Sequence, residues 1–578
     1  MKLKKIIYFL VAAIIVIAGA TGCKKSTFDI NKNPNQPTDS TISYNVILPA
    51  ALNNTARTLA TSWGWLENWL GYWARSGTYA PNTSEESYEV TTSFQSGIWT
   101  SLYDNNYDYQ TMQTQATKAG AEYYAGIARI MKAQNYGLLV DLYNNVPYSE
   151  ALKGAGNITP KYDKGVDVYK DLFRQIDTGM ALIQKASEAT SGPNKNILSD
   201  DIMFGTSQYP SATIASSKVM WSKYANSLKL RLLVHLMGGG VLTPATTVSG
   251  INLTAEFAKI TAANFTVTVS GSTTATTVTN YGFLGAGENA SVNPGYSSSS
   301  TAKMNPYYSA FVSDNAGTAT QNSQYYRANS FALEYYAFDG DPREQRFYGA
   351  GNNGYTGVAY GLPSKTENAA PELASVTGPG LVSTPLATGA AKSQWVFTGT
   401  ESLLLQAEAM SRGFLTGDPN TTMKNGISES FNFLGIASSA AGYISGNATY
   451  PDVDYAGTSQ GAGLPAGGLF TIMSQKWFAL NVIAPYEVWA DYRRVNMKTP
   501  SGTAVDHFIY AQGGGFSVSA SSGYPSTTVG PPISVSPANT ATQIPTRLLY
   551  PQTEYNYNPT NVAAEGTISK YGKVFWDN

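Results

Sequence analysis

The sequence predicts a mostly α fold: helix pairs forming a scaffold, large irregular loop-rich insertions and minor β structure. Three observations carry this. Apolar residues recur every three to four positions along several long stretches, the spacing of one buried helix face. Glycines stand where those stretches stop. Between them lie segments rich in Gly, Ser, Thr and Tyr, longer than ordinary connections.

The chain opens with Lys2, Lys4 and Lys5, then an apolar run from Ile6 to Ala18. Gly19, Ala20, Thr21 and Gly22 follow, and then Cys23, the only cysteine. A basic start, an apolar run of about 13 residues and a small-residue site make a secretory signal over 1–22. A membrane span needs roughly 20 apolar residues. A cysteine directly after Ala-Thr-Gly is similar to the lipobox of bacterial lipoproteins, which predicts cleavage before Cys23 and acylation of its thiol; Ala20 stands where leucine is commonest. Several acyl chains anchor firmly, at about 0.8 kcal/mol per buried CH2. Residues 23–40 then read as a lipid-anchored tether. Asp29, Asn31 and Asn33 alternate as in a calcium loop, but Pro34 takes the glycine position, so turn-forming Asx residues are the expectation.

Helical patterns dominate from there. Val46–Trp73 carries apolar and aromatic residues at helical spacing. Trp99–Ala119 and Ala121–Tyr143 read as an antiparallel pair joined at Gly120. Tyr169, Leu172, Phe173, Ile176, Met180 and Ile183 form one stripe, and Trp221, Tyr224, Leu228 and Leu232 another, stopped by Gly238-Gly239-Gly240. Further helices are expected near 395–413, 420–434 and 468–490. Residues 239–300 are Gly/Ser/Thr-rich, with Phe265–Val269 alternating as a strand before the turn Ser270-Gly271. Residues 300–390 hold Tyr307, Tyr308, Tyr325, Tyr326, Tyr335 and Tyr336, and 438–467 and 500–545 are turn-rich. Repeated helix pairs suggest a solenoid of the TPR type, although no strict 34-residue repeat is visible, and periodicity alone leaves that open.

Composition narrows the function. Charged residues are 13% and the net charge is −1. That balance argues against nucleic acid, which calls for a basic stripe. Aromatic residues make up 12%, with 39 Tyr and 10 Trp, suited to wet binding surfaces. Glycoside hydrolysis needs two carboxyl groups about 5–10 Å apart; Glu85-Glu86 and Asp200-Asp201 are adjacent and tend to diverge, and a pair distant in sequence is left to the fold to bring together. His235 and His507 have no Gly-x-Ser-x-Gly elbow. Two isolated histidines and an acylated cysteine leave no transition-metal cluster, and no nucleotide fingerprint is present. No catalytic residue, cofactor or metal is therefore expected.

Several segments in order are similar to the SusD/RagB family of nutrient-binding outer-membrane lipoproteins, its SusD-like branch above all. They are Phe28–Asn35, Asp141–Ala151 (with Asn144-Asn145 where Gly-Asp is usual), Pro160–Asp163, Trp221–Arg231, Gln406–Ala409, Gln475–Ala479 with Glu487–Arg494, and Arg547–Asn556 with Phe575-Trp576. The resemblance implies one SusD-like domain over 41–578. Its helical scaffold spans about 41–238 and 391–500, and its variable ligand region about 239–390 and 500–545. It implies a surface-exposed lipoprotein that captures oligosaccharides, or peptides in some members, for a SusC-like TonB-dependent transporter, without catalysis. A lipid-anchored TPR scaffold with protein partners only is the alternative, and a surface hydrolase a third.

The motif residues Arg231, Glu408, Glu487, Arg493 and Arg494 read as charges that pair between helices or bond exposed helix ends, and Trp477 and Trp489 as core. In this family the region after the first long helix helps form the ligand site. Here that region holds Trp63, Trp65, Trp69, Tyr72, Trp73 and Arg75, then the loop Tyr79–Tyr88. Trp65 and Trp69 suit a buried face. Trp73, Arg75, Tyr79, Asn82 and Tyr88 are the ligand candidates, with the Tyr-rich stretch 307–336 as a second region. Tyr and Trp stack on sugar rings, while Asn and Arg bond hydroxyls.

Overall fold

The apolar stripe that begins near Val46 closes as helix α1 (Tyr44–Thr61), burying Leu48, Ala51, Leu52 and Leu59. In the computed structural model the described residues are 42–76, 80–187, 191–238, 247–269, 271–362, 372–383, 385–457, 468–495, 497–498, 504–505, 508–511 and 516–577. The expected signal, Cys23, the tether with Asp29, Asn31 and Asn33, and His507 lie outside them.

Helices α2 (Ser96–Ala119) and α3 (Glu122–Tyr143) form the expected pair. Gly120 adopts φ 69°, and the amides of Gly120 and Ala121 cap the last carbonyls of α2. Only a residue without Cβ takes that left-handed turn cheaply. Helices α4 (Gly165–Lys185) and α5 (Ile214–Leu236) continue the series, and each helix packs on its successor. α5 begins with a reciprocal Thr213–Ser216 cap. α3 and α4 touch backbone to backbone: a Cβ on Gly126 would stand 2.6 Å from the Gly179 carbonyl oxygen.

After the insertion come α6 (Gly399–Ser411), α7 (Pro419–Phe433), α8 (Leu469–Leu480) and α9 (Pro485–Arg494). Two expected helices are divided. The stretch 468–490 breaks at Asn481–Ala484, and Pro485, which has no amide hydrogen to lose, starts α9. The stretch 395–413 begins as a strand, Gln394–Phe397, paired with Ala290–Val292, before Thr398 caps α6. The long pattern 46–73 is also broken, into α1, the short helix Gly64–Trp69 and strand β1 (Trp73–Arg75). The alternating Phe265–Val269 becomes β2 (Asn264–Thr268), a hairpin arm against β3 (Ala275–Thr279).

One buried charge network ties the two helical series together. Arg231 of α5 meets Glu401 of α6 at 2.5 Å and Glu487 of α9 at 3.3 Å. His235 lies between Glu487 at 3.0 Å and Asp141 at 3.4 Å. Arg494 grips Glu408 and Asp491, each at 2.6 Å, and Lys476 reaches Asp491 at 2.7 Å. Arg493 donates to the Asp141 carbonyl and stacks on Trp489 and Trp576. Trp477 and Trp489 are fully buried beside it. These are the internal partners the motif residues were expected to have. Among the described residues, no helix is long and apolar enough to cross a membrane.

Candidate functional site

β1 leaves the scaffold just after the aromatic helix. Its register is held by Tyr72, whose hydroxyl donates to the Trp477 carbonyl at 2.7 Å, and by Trp73, whose indole N–H donates to Asn481 Oδ1 at 3.1 Å. Strand β4 (Tyr326–Ala328), from the middle of the insertion, pairs with it antiparallel, Trp73 opposite Ala328 and Arg75 opposite Tyr326. The two regions proposed from sequence therefore meet in one small sheet.

At the outer end of this sheet the Arg75 guanidinium carbon stands over Tyr325, 4.0 Å from the ring centre, and the guanidinium bonds the Tyr325 hydroxyl. The Ser76 amide donates to the Tyr325 carbonyl at 2.8 Å. Arg75 Nε has no hydrogen-bond partner. Behind it, Glu85 accepts from Asn68 at 2.8 Å and from the Tyr360 hydroxyl at 3.2 Å, and Glu86 accepts from the Asn82 amide at 3.2 Å. Burial raises both carboxyls above their usual range, and Arg75 pulls both back. The result is a cation on an aromatic plate with carboxyl groups behind it. Such a surface offers a ring face and charged or polar bonding groups side by side.

A groove of about 520 Å3 runs past the same segment, lined by Phe311, Val312, Ser323, Gln324, Arg327, Glu372 and Val376 among others. Ligand clefts are typically about 300–1,000 Å3. Beneath it, Phe311 and Thr377 also line a cavity of about 20 Å3 bounded by Trp63, Glu67, Trp73 and Tyr326. Burial raises the Glu67 carboxyl well above its normal value, and the Val482 amide pulls it part of the way back.

The sequence candidates fare differently. Arg75 is half-buried and stands at the site. Asn82 is half-buried and caps the helix Thr83–Glu86, accepting from the Glu85 amide at 3.4 Å. Tyr88 corrects the expectation of a presented loop residue: it is wholly buried, with φ 55°, its ring against Trp69 and its hydroxyl accepting from the Ser534 amide at 2.9 Å. Trp73 is corrected likewise, being 3% exposed with its indole N–H committed to Asn481. Tyr79 lies outside the described residues. Trp65 and Trp69 form a buried face, as expected. In the Tyr-rich stretch, Tyr307, Tyr308, Tyr335 and Tyr336 are buried, while Tyr325 and Tyr326 are half-buried. Sequence reasoning gave no special weight to Tyr325 or to the groove residue Phe311. The Tyr325-Tyr326 doublet after the polar run Gln321–Gln324 is the signal that marks it.

Among the described residues no group of three His, Cys, Asp or Glu is placed to hold a metal ion. His235, bonded on both ring nitrogens, is structural.

The chain matches a SusD-like family described as "Starch-binding associating with outer membrane" over residues 32–504. It is similar in fold to a SusD homolog from Bacteroides fragilis NCTC 9343 (18% identity, TM-score 0.63, covering 93% of this chain and 99% of that one). It is also similar to a chitin-binding SusD homolog from Flavobacterium johnsoniae (19%, 0.60, 92% and 98%). A third is a SusD/RagB family protein from Bacteroides thetaiotaomicron VPI-5482 (17%, 0.61, 93% and 97%). No curated protein sequence matches the chain.

Proposed function

The chain belongs to the SusD/RagB family, and from that premise we propose that it is a surface lipoprotein, anchored through Cys23, that captures an oligosaccharide. The ligand would be held on the Arg75–Tyr325 surface and passed to a SusC-like TonB-dependent transporter, with no bond broken. The observation that carries this reading is the guanidinium laid over Tyr325 where β1 meets β4, beside a groove of about 520 Å3. A sugar ring stacks on Tyr325 while Arg75, backed by the buried Glu85 and Glu86, bonds hydroxyls. The family's description and the chitin-binding relative support a glycan ligand. Net charge near zero favours a neutral glycan over a strongly acidic polysaccharide.

Residues 24–578, titrated calorimetrically with neutral, acidic and amino-sugar glycans and with a peptide digest, test this. Saturable glycan binding without product, weakened about tenfold or more by Tyr325→Ala, which removes the stacking face, or by Arg75→Ala, is expected, since a bond to a charged group is worth about 1.5–3 kcal/mol. Saturation by the digest alone moves the reading to a peptide ligand. Binding by the folded protein to neither pool moves it to a protein-interaction scaffold.

A further inference from the structure

We propose that a second pocket, on the helix-pair side and walled by α2, α3 and α4, binds a small hydroxylated carboxylate, the chemistry of a sugar acid. This pocket has a volume of about 300 Å3, and its lining is separate from that of the Arg75–Tyr325 surface. α2 contributes Gln110 and Gln113, α3 contributes Lys132 and Tyr136, α4 contributes Asp171 and Gln175, and Ser149 and Lys153 stand exposed at its rim.

Its bonding is incomplete on one side only. Asp171, the carboxylate on the wall, is saturated: Tyr148 and Gln175 donate to it and Arg174 pairs with it at 2.6 Å. Lys132 makes one bond, to Gln110 Oε1 at 2.5 Å, and an ammonium offers three donors. Arg129 stands beside it, held by Gln175 at 2.5 Å, with its Nε unpartnered. The hydroxyl of Tyr136, a residue only 2% exposed, and Gln113 Oε1 are buried without partners. Buried polar atoms are rarely left so. Lys132 and the neighbouring Arg129 have no carboxylate partner, Asp171 being committed to Tyr148, Gln175 and Arg174, so the missing partner of Lys132 is an anion. Tyr136 and Gln113 add a hydroxyl donor and an amide acceptor, the complement of a polyol.

Burial, with Arg129 adding to it, lowers the Lys132 ammonium to about 7. The charged groups around it are Arg129, Arg174, Lys153 and Asp171, with Tyr136 and Tyr148 as the neighbouring phenols. A bound carboxylate favours the protonated amine, so binding above pH 7 takes up a proton.

The test titrates residues 24–578 with glucuronate, and with glucose as the uncharged control, at pH 8 in two buffers of different ionisation heat. Saturable glucuronate binding with proton uptake, at least about tenfold (about 1.4 kcal/mol) weaker for glucose and for Lys132→Met, supports the proposal. Tyr136→Phe, which keeps the ring and removes only the hydroxyl, weakens binding with the fold intact by circular dichroism. Equal binding of glucose, binding that survives both variants, or no binding to the folded protein overturns it. Lys132→Met leaves the response of the Arg75–Tyr325 surface to neutral glycans unchanged, so failure of either site is read separately.

Discussion

At the residue scale, the interior is governed by charge paired with charge. Burial alone pushes the Glu408 carboxyl up, but Arg494, Arg412 and Lys476 outweigh it and hold Glu408 at about 2. Glu487 is held at about 2 in the same way by Arg231 and His235. Replacing Arg494 with methionine leaves Glu408 and Asp491 underpaired, and the expected loss is about 3–5 kcal/mol in urea unfolding. His235 gives a pH signature. Burial lowers its imidazole, yet Glu487 and Asp141 prevail and raise it to about 9 from 6.5. Its stabilisation is therefore complete below about pH 6.5 and is lost as pH rises through about 9, roughly 3 kcal/mol in all. Unfolding followed from pH 6 to 9.5 is expected to show that decline in the native protein and a flatter profile in His235→Gln. Identical slopes in the two would remove His235 as its source. At the acid end, Glu408 and Glu487 contribute stability above about pH 4.5 that is lost as pH falls through about 2.

At the scale of elements, the sequence was most informative where period and punctuation agreed. The α2–α3 hairpin turns at Gly120, and α4 follows the stripe from Tyr169 to Ile183. It was least informative where an apolar run crosses from helix to strand. Trp73 and Gln394–Phe397 continue helical-looking patterns, yet pair with residues of remote segments, and periodicity says nothing of a partner that far away. The site was half legible for the same reason. Arg75 belongs to a stretch that sequence singles out, whereas the choice of Tyr325 over Tyr307 or Tyr335 depends on which ring the β1–β4 register leaves at the surface. Tyr88 reads as a loop residue and is one, but its left-handed backbone turns the ring inward. One element contact carries its own prediction. Gly126→Ala sets a methyl 2.6 Å from the Gly179 carbonyl oxygen and 2.7 Å from Ile183 Cγ1, so α3 and α4 must separate. A cost of about 1–3 kcal/mol is expected in thermal or urea unfolding, whereas Gly120→Asn, at a turn asparagine tolerates, costs less.

At the scale of the whole molecule, segments that look unrelated in the chain converge. Asp141, Arg231, Glu408, Lys476, Glu487, Arg493 and Trp576 come from five of the seven sequence motifs and meet in one interior network. The motifs thus describe the frame, and the variable insertion supplies half of the proposed binding surface. Arg75 and Tyr325 stand 250 positions apart. Closing so long a loop costs chain entropy before the contact returns anything, and contacts of such separation form late. The α1–α5 series, in contrast, is assembled from neighbours. The binding surface is thus expected to be the last part of the protein to be completed and the first to open. Hydrogen exchange in mild denaturant should release the amides that join the β1 and β4 segments, Ser76 to the Tyr325 carbonyl and Asn329 to the Tyr72 carbonyl, well before those of α3 and α4. A chain under stress would then lose its grip on ligand while its helical frame still stands, and recovery of binding after refolding would lag behind recovery of helix.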